Sequence, residues 1–444
     1  MKKLFKTMLL IVACICAAFT ASAQRVPLLT LKEAVELALK NNYNIKLSGN
    51  NIAIAQNNVT LGNAGILPLI SGDVSTSNSV QNTKQTRVDA TGNSTTTEIN
   101  GARNSSVNYG VNLTWTIFDG FAMFANYDQL KQLNQLSQIT ARDTIESTIA
   151  DVISTYYDLV SQNQQVKALK GAIDISRTQL RYANDKFEVG RSSKLDVLNA
   201  QVNLNTDTST LLTQIQQYKS LQIRMNQLMV RDLQTDFSVA DTIIIDQTMT
   251  LGNIINQAQT ANPGIRASQI NRSLAEINLR QVKATRYPQV GVNSGYAFTN
   301  STTPAGFARA QNNRGLTYGL SASINIFNGS NQWRRERNAR LQIDNAAINV
   351  NKTKQHIDAQ INNFYIDYLS GLDQVKLNQA NVIIAKKNLD ISLEKYKLGN
   401  ITPLEIREAQ RNYLNAQSRY FQAQYQAKSA EITLKEITNS INIQ

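Results

Sequence analysis

Phe187-Glu188-Val189-Gly190-Arg191-Ser192-Ser193-Lys194-Leu195-Asp196-Val197-Leu198-Asn199-Ala200-Gln201 reads as a sharp reversal between two helices. Tyr396-Lys397-Leu398-Gly399-Asn400-Ile401-Thr402-Pro403-Leu404-Glu405-Ile406-Arg407-Glu408-Ala409-Gln410 is the same reversal written a second time. In each, a glycine permits the left-handed residue that ends the first helix. Ser192 and Thr402 are the expected N-caps of the helices that follow, and Pro403 suits a first helical position. Asp196 and Glu405 then fall in the first turn, where the helix dipole favours an acid.

The segments leading into these reversals are long. From Gly120 to about Val189 the only further interior glycine is Gly171, and there is no proline. A helix of that length would run on the order of 100 Å at about 1.5 Å per residue. Ordinary globular helices have about 11 residues. Ile145, Ile149, Val152, Tyr156 and Leu159 step by 4, 3, 4, 3, the spacing of a coiled-coil seam, and Ile361, Tyr365, Tyr368, Leu372 and Val375 repeat it. Such helices must pack side by side to bury their stripes.

The duplication extends over the rest of the chain. Residues 31–71 align with 251–291 at an offset of 220, matching Ile45 with Ile265 and Pro68 with Pro288. Further on the offset is 209 and pairs Tyr109-Gly110 with Tyr318-Gly319, Tyr156 with Tyr365, and Gly190 with Gly399. The 11-residue difference falls where the first half carries Ser75 to Ser106, a Ser/Thr/Asn-rich stretch expected to be an exposed loop. The expected organisation is a signal peptide over 1–23, a first repeat over 24–230, a linker over 231–248 and a second repeat over 249–444.

Each repeat opens with a helix. Thr30 and Glu33 form a capping box, a break is expected near Asn41 to Asn44 and at Pro263, and Pro68 and Pro288 are expected to end the helices. Strands follow, at about 69–80 and 107–118 in the first repeat and about 289–299 and 315–327 in the second. Val107, Tyr109, Val111, Leu113, Trp115 and Ile117 alternate with small polar residues, as do Leu316, Tyr318, Leu320, Ala322, Ile324 and Ile326. That pattern fits a strand packed on a soluble core or a barrel strand with lipid outside and water inside.

The N-terminus has Lys2, Lys3 and Lys6, an apolar stretch from Met8 to Phe19, and the small residues Ala21-Ser22-Ala23. These are the parts of a secretory signal peptide. Ile11-Val12-Ala13-Cys14 loosely fits a lipidation site, which leaves a lipid-anchored N-terminus open. Both cysteines, Cys14 and Cys16, lie in this segment, so the exported chain would carry no disulfide and no thiolate metal site. The net charge of +13 is scattered rather than clustered, which speaks against nucleic acid. After the signal there is no apolar run of 18 residues, hence no expected transmembrane helix, while barrel strands carry a far fainter signal. His356, the single histidine, sits on a polar helix as a surface residue. No His-Cys-carboxylate cluster, P-loop or nucleophile elbow is present, so no catalytic residue, cofactor or metal is expected.

Twice in register, the chain shows an aromatic, then Val-Gly or Leu-Gly, then Leu-Asp or Leu-Glu, then Ala-Gln. This resembles the helix-hairpin tip of TolC-type outer-membrane factors, and the likeness covers about Leu29 to Ile441. The resemblance implies a mainly α fold with transmembrane β. Long antiparallel helical hairpins would form an α-barrel, and four strands per chain would contribute to a trimeric 12-stranded β-barrel in the outer membrane. Strand count alone also admits two or four copies, but four strands cannot close a membrane pore by themselves. The resemblance further implies a passive exit duct working with a periplasmic adaptor (membrane fusion) protein and an inner-membrane transporter of RND, ABC or MFS type. It implies a periplasmic gate at the tips formed by Gly190, Arg191, Asp196, Tyr396, Gly399, Glu405 and Glu408. The chain departs from the family at Ile401, where better-known members carry an arginine; Arg191, Lys194 or Arg407 are the candidates to replace it. The blander reading is that Asp196 and Glu405 only cap helices. Other readings of the whole chain are a periplasmic coiled-coil adaptor without a barrel and a surface adhesin.

Overall fold

The computed structural model describes residues 27–304, 306 and 308–441; the signal segment, with Cys14 and Cys16, lies outside them. The elements run α1 (Leu31–Asn41), α2 (Tyr43–Asn57), β1 (Leu69–Val88), β2 (Ser94–Phe118), α3 (Ala122–Glu188), α4 (Lys194–Met229), α5 (Leu251–Ala261), α6 (Pro263–Ala284), β3 (Gln289–Thr302), β4 (Ala310–Ser323), α7 (Asn331–Lys397) and α8 (Pro403–Ile437). The helices α3 and α7 have 67 residues each. Among the described residues no helix is long and apolar enough to cross a membrane.

The duplication is visible at the level of single hydrogen bonds. Asn42 interrupts α1 and α2, accepting from Asn44 N through Oδ1 and donating through Nδ2 to Leu228 O at 3.0 Å. Asn262 does the same between α5 and α6, accepting from Ile265 N and donating to Ile437 O at 2.9 Å. Tyr156 donates to Leu29 O, and its repeat mate Tyr365 donates to Met249 O. The long-range acceptors are displaced by the two sequence offsets, Leu228 and Ile437 by 209, Leu29 and Met249 by 220. A buried amide or phenol must find a partner, and both repeats solve that requirement with equivalent long-range carbonyls.

By internal contacts the chain forms two compact units. One comprises the residues up to Gly49, Thr140–Arg266 and those from Thr353 onward; the other comprises Asn50–Ile139 and Ala267–Lys352. Each unit therefore draws on both repeats, so the division at 230/249 is one of sequence rather than of packing.

In the first unit the expected seam supplies the core. Val152, Tyr156 and Leu159 are buried with Val35, Ala38, Met225, Met229, Phe237 and Val239. Ile361 and Tyr368 centre a second cluster with Ile254, Ala258 and Leu434. The 231–248 segment is woven into this unit. Ser238 and Leu28 form a parallel bridge, and Phe237 is buried. Asp246 N donates to Glu431, whose carboxylate also takes Lys428 and Lys435 at 2.9 and 2.8 Å. The Asp246 carboxyl is held well below its usual range, to about 2, chiefly by hydrogen bonds from the Thr248 hydroxyl and backbone, with Lys435 adding to it.

The second unit holds an antiparallel sheet in the order β1-β2-β3-β4. Its registers put most of the large apolar strand positions on one face: Tyr109 opposes Val74 and Phe298, and Tyr296 opposes Leu316. The other face carries Asn112, Gly295 and Thr317 in line. Between β2 and β3 the polar face is tight, since a Cβ on Gly110 would sit 2.6 Å from Tyr296 O. The apolar face is bare: Tyr318 is 83% exposed and Leu320 71%. β1 and β4 are edges, open on their outer sides.

Three expectations need correction. Ser75 to Ser106 is not a loop but the greater part of β1 and β2, paired as far as Val88 with Ser94. Alternation of apolar residues is missing there, yet Thr-rich strands need none when both faces meet water; only 89–93 turns, around the Asp89 carboxylate and Gly92. Pro68 does not end α2, which stops at Asn57, 11 residues earlier; a short turn follows, in which Asn63 bonds Thr60 Oγ1 and Asn58 O. β4 ends at Ser323 instead of near 327. Its partner Gln289 is the first residue of β3, and nothing lies on its other side.

Candidate functional site

Both reversals lie in the first unit and share one local geometry. Gly190 and Gly399 have φ of 70° and 80°. In each, the glycine N–H and the following N–H close the last turn: Gly190 to Phe187 O and Arg191 to Lys186 O, Gly399 to Tyr396 O and Asn400 to Lys395 O. This is the Schellman arrangement. The next helices start with complete capping boxes. Ser193 Oγ accepts from Asp196 N at 3.2 Å while the Asp196 carboxylate accepts from Ser193 N. Thr402 Oγ1 accepts from Glu405 N at 3.3 Å while Glu405 accepts from Thr402 N at 2.7 Å. The N-cap of α4 is thus Ser193, not Ser192: only a residue three before Asp196 can exchange both bonds. Ser192 instead donates its hydroxyl to Asp196 at 2.7 Å. That bond, with the bonds from Ser193, lowers the Asp196 pKa below its ordinary value, and the Thr402 backbone and hydroxyl do the same for Glu405.

The remaining gate candidates separate into exposed and buried. Arg191 and Glu408 are exposed. Tyr396 is only 3% exposed and packs with Leu389, Ile406 and Ala409, with Ile401, Ile175, Tyr182 and Leu393 around them. It meets Tyr182 edge-on at 6.5 Å, and Lys186 Nζ lies 4.4 Å above its ring while donating to its carbonyl at 3.1 Å. Within one chain Tyr396 is therefore tip core that ties the first hairpin to the second. Ile401 joins the same apolar cluster, a place an arginine could not share without desolvation.

Arg407 is also committed elsewhere. It grips the Asp207 carboxylate with two nitrogens at 2.7 and 2.8 Å. Ser176 donates to the same carboxylate, and Gln410 Nε2 reaches Ala172 O at 2.8 Å and Ser176 Oγ at 2.9 Å. Gln179 donates to Gln410 Oε1 at 3.0 Å. This buried network joins α3, α4 and α8. The sequence reading named Arg407 and Gln410 but missed Ser176, Gln179 and Asp207. Polar residues on polar helices look solvated, and their partners lie some 200 positions away.

Among the described residues no cluster of His, Cys, Asp or Glu is arranged to hold a metal.

A family profile described as Outer membrane efflux protein matches residues 34–229 and 254–440, one stretch per repeat. The outer membrane efflux protein BepC of Brucella suis is 22% identical over 92% of this chain and 85% of its own length. The outer membrane protein TolC of Escherichia coli is 18% identical over 78% of this chain and 72% of its own. Among solved structures, the Campylobacter jejuni CmeC outer membrane channel superposes with a TM-score of 0.76 at 19% identity, covering 92% of this chain and 85% of that one. The open-state MtrE outer membrane channel of Neisseria gonorrhoeae gives 0.71 at 13% identity over 92% and 88%.

Proposed function

The chain belongs to the outer membrane efflux protein family, and on that premise we propose that it is the outer-membrane exit duct of a tripartite efflux or type I secretion system. Three copies would close a 12-stranded barrel, with the helices continuing it into the periplasm as a tunnel. Conduction is passive; energy comes from an inner-membrane transporter of RND, ABC or MFS type, joined through a periplasmic adaptor. The observation that carries this reading is the sheet. Its registers gather the apolar side chains on one uncovered face, and both its edges are open. Lipid tolerates no unpaired strand edge, so such a face and such edges belong together only in a closed oligomer.

The duplication specifies how the copies join. β4 stands to a neighbour's β1 as β2 stands to β3. Carrying the β2–β3 register across by the two offsets pairs Ala322 with Val74 and Leu320 with Thr76 of the next copy, because Leu113 pairs with Ser294 and Val111 with Tyr296. The same shift gives residues 324–327 a strand partner near Ile70. The pairing keeps Leu320, Ala322 and Val74 on the apolar face.

The expected result is that Val74→Cys together with Ala322→Cys links chains into SDS-stable trimers. A partner position moved by one residue should link poorly, since a one-residue slip turns the side chain to the other face. Monomeric, freely water-soluble protein would defeat the reading. At the tips, Asp196, Glu405 and Glu408, with Arg191 beside Gly190, are assigned to contacts between neighbouring chains; Tyr396 and Gly399 shape the tip that presents them. Replacing Asp196 and Glu405 together with Ala should raise single-channel conductance in planar bilayers. Unchanged conductance would confine both acids to capping.

A further inference from the structure

After β4 and the intervening residues 324–330, α7 opens with Asn331-Gln332-Trp333-Arg334-Arg335-Glu336-Arg337. A helix N-terminus carries partial positive charge and favours acids, yet the first turn of α7 holds none. The single acid nearby, Glu336, is buried and taken by the Arg286 guanidinium and by Gln332. Arg334, Arg335 and Arg337 are exposed, and none forms an ion pair among the described residues. Arg337 lies 5.4 Å above the ring of Trp333, which is 62% exposed. Phe327, in the segment between β4 and α7, is 83% exposed.

The other repeat shows that this charge is not required by the fold. The mates of Trp333, Arg334, Arg335 and Arg337 are Phe124, Ala125, Asn126 and Asp128. There the charge is balanced, with Asp128 paired to Arg280 at 3.0 Å and to Lys131. The aromatic is kept in both repeats, while the uncompensated cations occur in one.

From this we infer that Trp333, Arg334, Arg335 and Arg337 form a binding surface for the phosphate headgroups of anionic phospholipid in the leaflet facing the helices. The inference rests on the barrel reading above. Charge complementarity identifies the occupant. Guanidinium groups match phosphate oxygens in geometry, and an indole on an arginine suits the boundary where hydrocarbon gives way to headgroups. The surface also follows the bare apolar strand β4 in the chain, with exposed Ile326 and Phe327 between them, so a lipid whose tail covers that strand would have its headgroup toward these arginines.

The test uses the full-length protein in detergent, with retained lipid counted by native mass spectrometry after exposure to phosphatidylglycerol, cardiolipin or phosphatidylcholine. The wild type should retain the two anionic lipids over phosphatidylcholine. Arg334→Gln/Arg335→Gln/Arg337→Gln should lose that preference by roughly tenfold or more, given about fivefold per basic residue at an anionic surface. The triple lysine variant should keep most of it. SDS-stable oligomer and conductance should be unchanged in both. Equal retention of all lipids by the wild type, or an undiminished preference in the glutamine variant, overturns the proposal. Loss of the oligomer in the glutamine variant also overturns it, by assigning the arginines to contacts between chains. Failure of the wild type to float with vesicles would instead sink the barrel reading itself.

Discussion

The two hairpin tips are nearly the same local structure placed in different surroundings. Gly190 and Gly399 cap their helices with the same pair of backbone bonds, and Ser193/Asp196 and Thr402/Glu405 build the same box. Yet eight residues beyond each N-cap, at Gln201 and Gln410, the chemistry parts. Gln201 is exposed and bonds only Asn205 on its own helix, while its mate Gln410 is buried in the network of Ser176, Gln179 and Asp207. Arg407, which completes that network, has Leu198 as its mate, and Asp207 has Ala416. The difference teaches that a tip's shape is set within about ten residues of chain, whereas its attachment to the rest of the molecule is set by what the fold brings beside it.

The comparison can be broken most severely at Asp207. Asp207→Ala leaves the largely buried Arg407 guanidinium without its carboxylate, and should cost about 2–4 kcal/mol in denaturant unfolding. Pairing it with Arg407→Met should recover most of that, because replacing both partners removes the stranded charge. Next in size, Gln410→Ala should cost about 1–3 kcal/mol by leaving buried polar groups unsatisfied. Gln201→Ala, at the equivalent position, should stay within about 0.5 kcal/mol. Equal losses at the two glutamines would show that the asymmetry has no energetic content. The caps sharpen the likeness instead: Ser193→Ala and Thr402→Ala should each cost about 1 kcal/mol, and to a similar degree, by hydrogen exchange of the first turns of α4 and α8.

The smallest expected effect is a titration. The folded-state pKa values of Asp196 and Glu405 lie below their ordinary values of 3.8 and 4.5. The stabilisation they give is therefore fully present above those values and is lost as pH falls through the lower, folded ones. Spin labels at Lys194 and Leu404 should gain mobility together in that acid range. Asp246, held at about 2, should release the 231–248 segment only at the bottom of it. Tips that loosen near neutral pH would contradict the capping geometry.

How far the site was legible follows from sequence distance. The reversals, the glycines and the carboxylates of the boxes were readable because their partners sit three or four residues away. The single slip, Ser192 for Ser193, came from two adjacent hydroxyls, of which only one has the spacing to exchange bonds with Asp196. Tyr396 could not be placed as tip core, because its burial depends on Tyr182 and Lys186 in the other repeat. The strand residues 81–106 were unreadable for another reason: with polar side chains on both faces, no apolar alternation marks them.

Helix and strand periods, the twofold repeat and the capped turns were determined by the sequence alone, since each is a short-range preference written in neighbouring side chains. The tertiary structure alone decided which of two matched residues is buried, which acid holds an arginine and which strand edges stay open. Burial and pairing are properties of surfaces brought together from some 200 residues apart, and identical local sequences carry no mark of what will be packed against them.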